Sequence, residues 1–174
     1  RAINTENPIN ILDVGTGCGI IALMMAQKFP KSNLTAIELE KDAANQARNN
    51  FHSSPFPNTF DVQQTDFVNY HTSEKFELIV SNPPYFKEDS SSGNQKRTMA
   101  RMSKYLPLNH FIEKSSRLLS AQGSIYMVYP VEQLSDFNIL LSKNELYIHR
   151  QLTVLGNPLV KIKRYCFELK KRTS

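Results

Sequence analysis

The sequence predicts an α/β protein: a doubly wound, mainly parallel, seven-stranded sheet with one antiparallel strand near the C-terminus. Three observations predict this fold. Short apolar runs alternate with amphipathic helical segments, which is the pattern of βαβ units. A glycine cluster directly follows the first apolar run, at the place where open sheets of this kind bind ligands. The last two apolar runs are joined by Gly156-Asn157-Pro158, so no helix separates them and one strand opposes the others.

The first half of the chain gives two strand–helix pairs. Residues 10–14 (NILDV) form a short apolar run typical of a buried parallel strand. Residues 19–29 are apolar at helical spacing, and Pro30 lies just beyond their end. Residues 33–38 (NLTAIE) indicate a second strand, and residues 41–51, rich in Ala, Asn and Arg, indicate an amphipathic helix.

The middle of the chain repeats the alternation. Residues 58–65 contain a third strand and residues 76–80 (FELIV) a fourth. Residues 106–119 are predicted to be a helix, residues 123–129 (GSIYMVY) a fifth strand, and residues 131–143 another amphipathic helix.

The closing pair of strands covers residues 145–155 and 161–169. The polar, Ser-rich stretch at residues 89–95 predicts a loop. We interpret residues 1–174 as a single domain. Because the chain has no initiator Met and reaches an apolar strand within nine residues, we expect that a native N-terminal segment is missing.

Composition excludes several classes of protein. The chain is 40% hydrophobic and 21% charged, which is typical of a globular domain. No apolar run approaches the roughly 18 residues of a membrane span, so we expect no membrane partner. Cys18 and Cys166 are far apart and make no disulfide framework, which favours a reducing, cytoplasmic setting. The four histidines are scattered without ligand spacing, so we expect no metal.

The net charge of +5 is concentrated in two segments. Residues 87–104 carry five basic and two acidic residues, and residues 161–172 carry six basic and one acidic. The rest of the chain is therefore about −3 by subtraction from these counts. Such segments suit a polyanionic partner or are solvated surface. For the C-terminal segment the two readings are a salt-sensitive surface for nucleic acid and an edge strand that its charges guard against aggregation.

The glycine cluster Gly15, Gly17 and Gly19 is the first candidate site. Glycine permits positive φ and lets a ligand approach the backbone closely. The G-x-G-x-G spacing differs from that of a dinucleotide site, and Asp13 stands two residues before the first glycine. A negative charge there repels a pyrophosphate and suits a cationic or amino-acid-bearing cofactor. The alternative is a tight strand–helix turn that needs small residues.

Three further acids and an aromatic residue follow strands. Glu38 ends the second strand, 23 residues after Gly15, where an acid can accept hydrogen bonds from ribose hydroxyls; Glu40 is the alternative. Asp66 can accept from an exocyclic amine and Phe67 can cover a purine face. Asp66 could equally be a helix or turn cap.

The fourth candidate is Asn82-Pro83-Pro84-Tyr85, directly after the fourth strand. Together with the glycine loop, this motif resembles the class I S-adenosylmethionine-dependent methyltransferases, in the branch with an (N/D)-P-P-(Y/F) signature. The resemblance implies a Rossmann-like fold and transfer of methyl to a planar nitrogen, with S-adenosylhomocysteine as product. It implies that the Asn82 side chain and the Pro83 carbonyl accept the amine N–H bonds, that the prolines restrict the backbone, and that Tyr85 stacks on the flipped base.

Within this branch the sequence is most similar to the bacterial tRNA adenine-N6 methyltransferases, which modify adenine 37 of a valine tRNA. The similar stretches are "LDVGTGCGIIALMMAQ", "SNPPYF", an R-x-x-A-R element and "GSIYMVYP". The resemblance implies tRNA as partner, a monomer, and phosphate contacts from basic residues of the first basic segment: Lys87, Lys96, Arg97 and Arg101. Met102 stands where the family is expected to have a histidine.

Other functions remain open from the sequence. A protein glutamine-amide methyltransferase uses the same acceptor chemistry, as does a methyltransferase of rRNA guanine N2 or DNA adenine N6. A nicotinamide-dependent oxidoreductase is disfavoured by the glycine spacing. A non-catalytic RNA-binding relative is disfavoured by the intact Asn82 motif.

Overall fold

A computed structural model describes residues 7–82, 106–129, 134–154 and 164–172. The predicted alternation of strands and helices is confirmed. In chain order the elements are β1 (Asn10–Val14), α1 (Ile20–Lys28), β2 (Asn33–Glu38), α2 (Lys41–His52), β3 (Thr59–Gln64), a 3₁₀ turn (Phe67–Asn69), β4 (Phe76–Ser81), α3 (Leu108–Leu118), β5 (Leu119–Tyr129), α4 (Leu134–Lys143), β6 (Leu146–Val154) and β7 (Arg164–Lys171).

The seven strands form one mixed sheet in the order β3-β2-β1-β4-β5-β7-β6. Strands β3, β2, β1, β4 and β5 pair in parallel, and β7 is antiparallel to both β5 and β6. The predicted fold class, including its single antiparallel strand, is therefore correct.

The sheet separates two layers of buried side chains. On one side, small residues of α1 and α2 such as Ala22 and Ala47 pack near Ile11 of β1 and Leu78 of β4. On the other side, α3 and α4 cover alternate strand residues: Leu12, Ile79, Ile125 and Phe167. Successive residues of a strand point to opposite faces, and apolar runs such as residues 11–14 are buried throughout, as expected for strands covered on both faces.

Strand β5 begins four residues earlier than the sequence predicted. Helix α3 ends at Leu118 and the strand starts at Leu119 without a connecting loop. Leu119 pairs with Phe76 of β4, and a register shift follows before Leu78 pairs with Ser124. Residues 120–122, for which the sequence predicted neither helix nor strand, continue β5 through this irregularity.

Within the described ranges, no helix is both long and apolar enough to cross a membrane. The same part of the chain contains no cluster of His, Cys, Asp and Glu that could hold a metal ion. Both cysteines are free thiols.

Candidate active site

Four neighbouring strands deliver the candidate residues to one edge of the sheet. Val14, the last residue of β1, is in register with Ile37 of β2 and with Ser81 of β4. Glu38 of β2 is in register with Gln64 of β3. Because the strands are parallel, the segments that follow them all leave at the carboxyl edge, which is where open α/β sheets bind ligands.

The glycine loop after β1 has a left-handed backbone at all three glycines. The φ angles are 72° at Gly15, 57° at Gly17 and 89° at Gly19, values that other residues rarely adopt. Gly19 has a second constraint, since a Cβ there would lie 2.5 Å from Cε1 of Phe51. The loop is therefore a fixed turn whose backbone faces are open, and it packs α1 closely against the end of α2.

The loop is tied to the end of β2 through its own backbone. The amides of Gly15 and Thr16 both donate to the carbonyl of Ile37, at 2.9 and 3.1 Å. The side-chain amide of Asn50, on α2, donates to the carbonyl of Cys18 at 2.7 Å. The loop is therefore held in place by bonds to its backbone amides and carbonyls.

Asp13 lies buried beneath this loop, with 1% of its surface exposed. The Thr16 hydroxyl donates to its Oδ2 at 2.6 Å, whereas Oδ1 has no hydrogen-bond partner among the described residues. Burial raises the pKa of Asp13 from 3.8 to about 6, against the Thr16 hydrogen bond, which lowers it. A buried carboxylate oxygen without a partner fits a cationic ligand group far better than an anionic one.

Glu38 is the acid that meets the glycine loop. Its Oε2 accepts from the amide of Gly17 at 2.8 Å, and its Oε1 accepts from the amide of Glu40 at 2.9 Å. Each carboxylate oxygen keeps a further acceptor site. The sequence placed Glu38 beside a ligand but missed its structural bond to Gly17, because only the fold brings residues so distant in sequence together.

Asp66 caps the 3₁₀ turn: its Oδ1 accepts from the amide of Val68 at 2.9 Å. Thr65, just before it, donates its amide to the carbonyl of Glu38 at 3.0 Å. The segment after β3 thus lies next to the end of β2. Asp66 is thus a turn cap, which is one of the two roles that the sequence left open. Its other carboxylate oxygen can still accept a hydrogen bond.

Phe67 does not offer its face to a ligand. The side chain is 4% exposed and belongs to the core, with its ring centroid 6.0 Å from that of Phe111 on α3. Nζ of Lys114 lies 5.5 Å from the same centroid. The expectation that the Phe67 face covers a purine is therefore corrected, because α3 occupies that face.

Lys114 is a residue near the site that sequence reasoning missed. Its Nζ donates to the carbonyl of Val68 at 2.7 Å and so ties α3 to the segment after Asp66. Burial lowers the pKa of Lys114, and the nearby Asp66 carboxylate opposes this shift. No sequence pattern pairs a lysine in the second turn of α3 with a 3₁₀ turn 46 residues earlier.

Ser81 and Asn82 complete the edge at the end of β4. The buried Ser81 hydroxyl donates to the carbonyl of Val14 at 2.9 Å, which locks the end of β4 to the start of the glycine loop. Asn82 follows at once and is exposed. The sequence singled out Asn82 but not Ser81, a polar residue at the end of an apolar strand.

The other predicted site residues lie outside the described residues. They are Pro83, Pro84 and Tyr85 of the motif, and the basic residues Lys87, Lys96, Arg97 and Arg101.

Taken together, the described edge offers open backbone, an unpaired buried carboxylate oxygen, an acid at the end of β2 and an exposed amide after β4. That combination can hold a ligand with cationic and hydroxyl groups beside a second ligand at Asn82.

Comparison with known proteins places the chain in a family. Residues 1–143 match the methyltransferase small domain family. A tRNA1(Val) (adenine(37)-N6)-methyltransferase of Bacteroides thetaiotaomicron is 38% identical over 149 residues, covering 85% of this chain and 63% of that protein. A protein of the same name from a Flavobacteriaceae bacterium is 38% identical over 159 residues, covering 91% of this chain and 68% of that protein. The chain thus spans about two thirds of the length of these relatives.

Solved structures agree on the fold. The ribosomal protein L11 methylase of Lactobacillus delbrueckii subsp. bulgaricus aligns with a TM-score of 0.71 at 18% identity, covering 96% of this chain and 72% of that one. The magnesium protoporphyrin IX methyltransferase of Synechocystis PCC 6803, solved with bound SAM, aligns with a TM-score of 0.65 at 10% identity, covering 94% and 71%. At such identities the likeness concerns the fold alone. The sequence matches carry the assignment: the chain belongs to the methyltransferase small domain family.

Proposed function

We propose that this protein transfers a methyl group from S-adenosylmethionine to the N6 amine of an adenine in tRNA, at position 37 of a valine tRNA. The relatives that are 38% identical carry that activity in their names. The geometry that carries the proposal is the arrangement at one sheet edge: the left-handed glycine loop bonded to Glu38 lies next to the strand that ends in Ser81 and Asn82.

The residues at this edge fit the cofactor's chemistry. When bound, S-adenosylmethionine supplies a methyl group activated by a sulfonium, beside an ammonium, a ribose and an adenine. The unpaired Oδ1 of buried Asp13 would accept from a cationic group, and the open glycine backbone would line the methionine end. The free acceptor sites of Glu38 suit ribose hydroxyls, and Asp66 suits an exocyclic amine.

Asn82 has the chemically decisive role in this proposal. An adenine amine conjugates with its ring, so its nitrogen lone pair is poorly available until the two N–H bonds are held by acceptors. The Asn82 side-chain oxygen and the following carbonyl would hold them and stabilise the positive charge that develops on nitrogen. The neighbouring Ser81 hydroxyl is buried and committed to the carbonyl of Val14, so it is not the acceptor. Because the methyl is already activated, no strong general base is needed.

The experiment is methyl transfer from tritiated S-adenosylmethionine to unmodified total tRNA, followed by nucleoside analysis. We expect N6-methyladenosine in the valine tRNA. Label in N2-methylguanosine, in DNA, or in a protein glutamine would redirect the proposal to the corresponding substrate, and the absence of any transfer to tRNA would refute it.

Asn82→Ala supplies the mechanistic arm. Loss of one preorganised hydrogen-bonding group typically costs about 10²–10³ in rate, so we expect a loss of that size while S-adenosylhomocysteine still binds. The matched control is Asn138→Ala, an exposed asparagine on α4, which should keep full activity. Full activity in Asn82→Ala would refute the assigned role.

A further inference from the structure

Strand β6 is the edge strand of the sheet, and its second half is exposed. Its first residue, Leu146, is fully buried, but every residue from position 149 to position 154 is exposed. Side chains of both faces are included, since successive residues alternate; Leu152 is 69% exposed and Val154 44%. These six residues and their partners at positions 164–168 of β7 form the outermost strand pair of the sheet, here called the β6–β7 ribbon, and β7 pairs with β5 on its other side. The exposed part of β6 is about 17 Å long at ~3.4 Å per residue.

The exposed end of the ribbon lies at the edge of the sheet that carries the candidate site. β4 and β5 are parallel, and β7 is antiparallel to both β5 and β6, so β6 runs in the same direction as β4. Val154 therefore ends at the edge where β4 delivers Asn82. The order β4-β5-β7-β6 separates β6 from β4 by three strand spacings, about 14 Å at ~4.8 Å each.

The exposed charge on the ribbon has one sign. Arg150 has a side chain that is 77% exposed, and Arg164 is also exposed. Glu168, the register partner of Arg150 on β7, has a side chain that is only 8% exposed; its carboxylate lies 3.6 Å from Nε of Arg150 and 3.5 Å from Nζ of Lys170. Glu168 thus forms an ion pair with the Nε end of the Arg150 side chain. Because Glu168 is nearly buried, it presents almost no negative charge to solvent.

This combination favours a polyanion over a protein as the partner. The exposed aliphatic surface amounts to Leu152 and Val154 on a narrow ribbon, far less than the roughly 1,200 Å² or more that a stable protein–protein interface buries. Two arginines beside small apolar side chains instead suit phosphates and riboses, and paired strands are a known nucleic-acid-contacting element. Charges whose only role is to prevent aggregation of an edge strand could lie anywhere along that strand, whereas these arginines lie toward the edge of the sheet that carries the proposed reaction site.

We propose that the β6–β7 ribbon is an RNA-docking surface, in which Arg150 and Arg164 contact phosphates of the substrate a few nucleotides from the amine held at Asn82. This inference rests on the proposed function and adds a contact surface to it.

The test compares two double variants with the same loss of charge. Arg150→Gln/Arg164→Gln removes the ribbon cations. Lys28→Gln/Lys31→Gln is the control, because both lysines are exposed and lie at the opposite edge of the sheet, Lys28 at the end of α1 and Lys31 between α1 and β2. Binding of unmodified valine tRNA is measured by fluorescence anisotropy from about 50 to 200 mM salt. S-adenosylhomocysteine binding and thermal melting check that each variant is folded.

We expect the ribbon variant to bind tRNA about tenfold more weakly. The slope of log K against log salt should fall by about 1.4–1.8, since each lost phosphate contact contributes about 0.7–0.9. The control should match the wild type. Equal affinities and slopes in the two double variants would overturn the proposal.

Leu152→Glu is an independent variant at a position where 69% exposure leaves little risk to folding. It places a negative charge on the ribbon and should weaken tRNA binding, whereas Leu152→Gln should change it by less than about twofold. Aggregation of the arginine variant with unchanged tRNA affinity in Leu152→Glu would assign the ribbon to edge protection and overturn docking.

The outcomes separate this proposal from the proposed function. Weaker, less salt-sensitive tRNA binding by the ribbon variants without any methyl transfer by the wild type would refute the function and leave the docking surface in place. Methyl transfer to tRNA by the wild type, together with unchanged tRNA binding by the ribbon variants, would support the proposed function and refute the docking surface. If the ribbon substitutions weakened binding of an acidic protein substrate but not of tRNA, RNA would be overturned as the occupant.

Discussion

Asp13→Asn tests whether the acid beneath the glycine loop is held at an energetic cost. The side chain is buried, Oδ2 is bonded to Thr16, and Oδ1 has no hydrogen-bond partner among the described residues. Burial raises the pKa of Asp13 from 3.8 to about 6, and Glu38 adds a smaller repulsion. The folded protein therefore binds a proton at this site more tightly than the unfolded chain does.

The sign of the pH effect follows from linkage. Between pH 3.8 and about 6 the folded state holds more protons than the unfolded state, so the free energy of unfolding from this group falls as pH rises. The full difference corresponds to about 3 kcal/mol at ~1.36 kcal/mol per pKa unit. Local relaxation reduces such terms, so we expect about 1–3 kcal/mol. Asn cannot titrate, and the variant lacks this dependence.

The assay is urea unfolding of wild type and Asp13→Asn at several pH values between 4 and 7 without cofactor, followed by circular dichroism. The free-energy difference between the two proteins should move by about 1–3 kcal/mol in favour of the variant as pH rises. Any constant cost of placing an amide at this position cancels, because only the change with pH is compared. A difference that stays constant within about 0.5 kcal/mol would refute the reasoning.

Four further substitutions probe the same edge. Gly19→Ala forces a left-handed alanine against the ring of Phe51 and should lower the free energy of unfolding by about 2–5 kcal/mol. Gly17→Ala is the control, because a Cβ there meets no atom within 4 Å, and it should lower the free energy of unfolding by only about 1–2 kcal/mol. Urea unfolding measures both. Glu38→Gln cannot accept from two amides with both side-chain atoms, so we expect S-adenosylhomocysteine to bind about 10–100-fold more weakly by calorimetry; unchanged affinity would contradict this. Lys114→Met removes the bond from α3 to the segment after Asp66 and should lower stability by about 1 kcal/mol, measured in the same way.

Local pattern was enough to predict the alternating elements and the glycine loop. Ile11, Leu12 and Val14 of β1 are buried, as expected of a parallel strand that is covered on both faces. The glycines at positions 15, 17 and 19 adopt positive φ because the loop must turn sharply between β1 and α1. These features depend on neighbours in sequence, and a single sequence records them.

The errors and omissions all involve partners distant in sequence. Phe67 was expected to face a ligand, but Phe111 and Lys114, on a helix that follows more than 40 residues later, bury it. Glu38 was expected to accept from a ligand, and its bond from the amide of Gly17 was not predicted. An aromatic residue or acid at a strand end has the same local pattern whether its partner is a ligand or another helix, so only the tertiary packing decides.

The two halves of the proposed site have different supports. The half proposed for the cofactor depends on β1 and β2, through the bonds from Gly15 to Ile37 and from Gly17 to Glu38. The half proposed for the target amine depends on β4, whose last residue is fixed to β1 by the bond from Ser81 to Val14. That buried bond and the pairing of β1 with β4 together fix the position of Asn82 relative to the loop. A sheet that fixes both halves this way can exchange the residues around Asn82 for a different amine while the loop proposed for the cofactor stays unchanged. We therefore expect selection of the substrate to come from segments after β4 and from the β6–β7 ribbon.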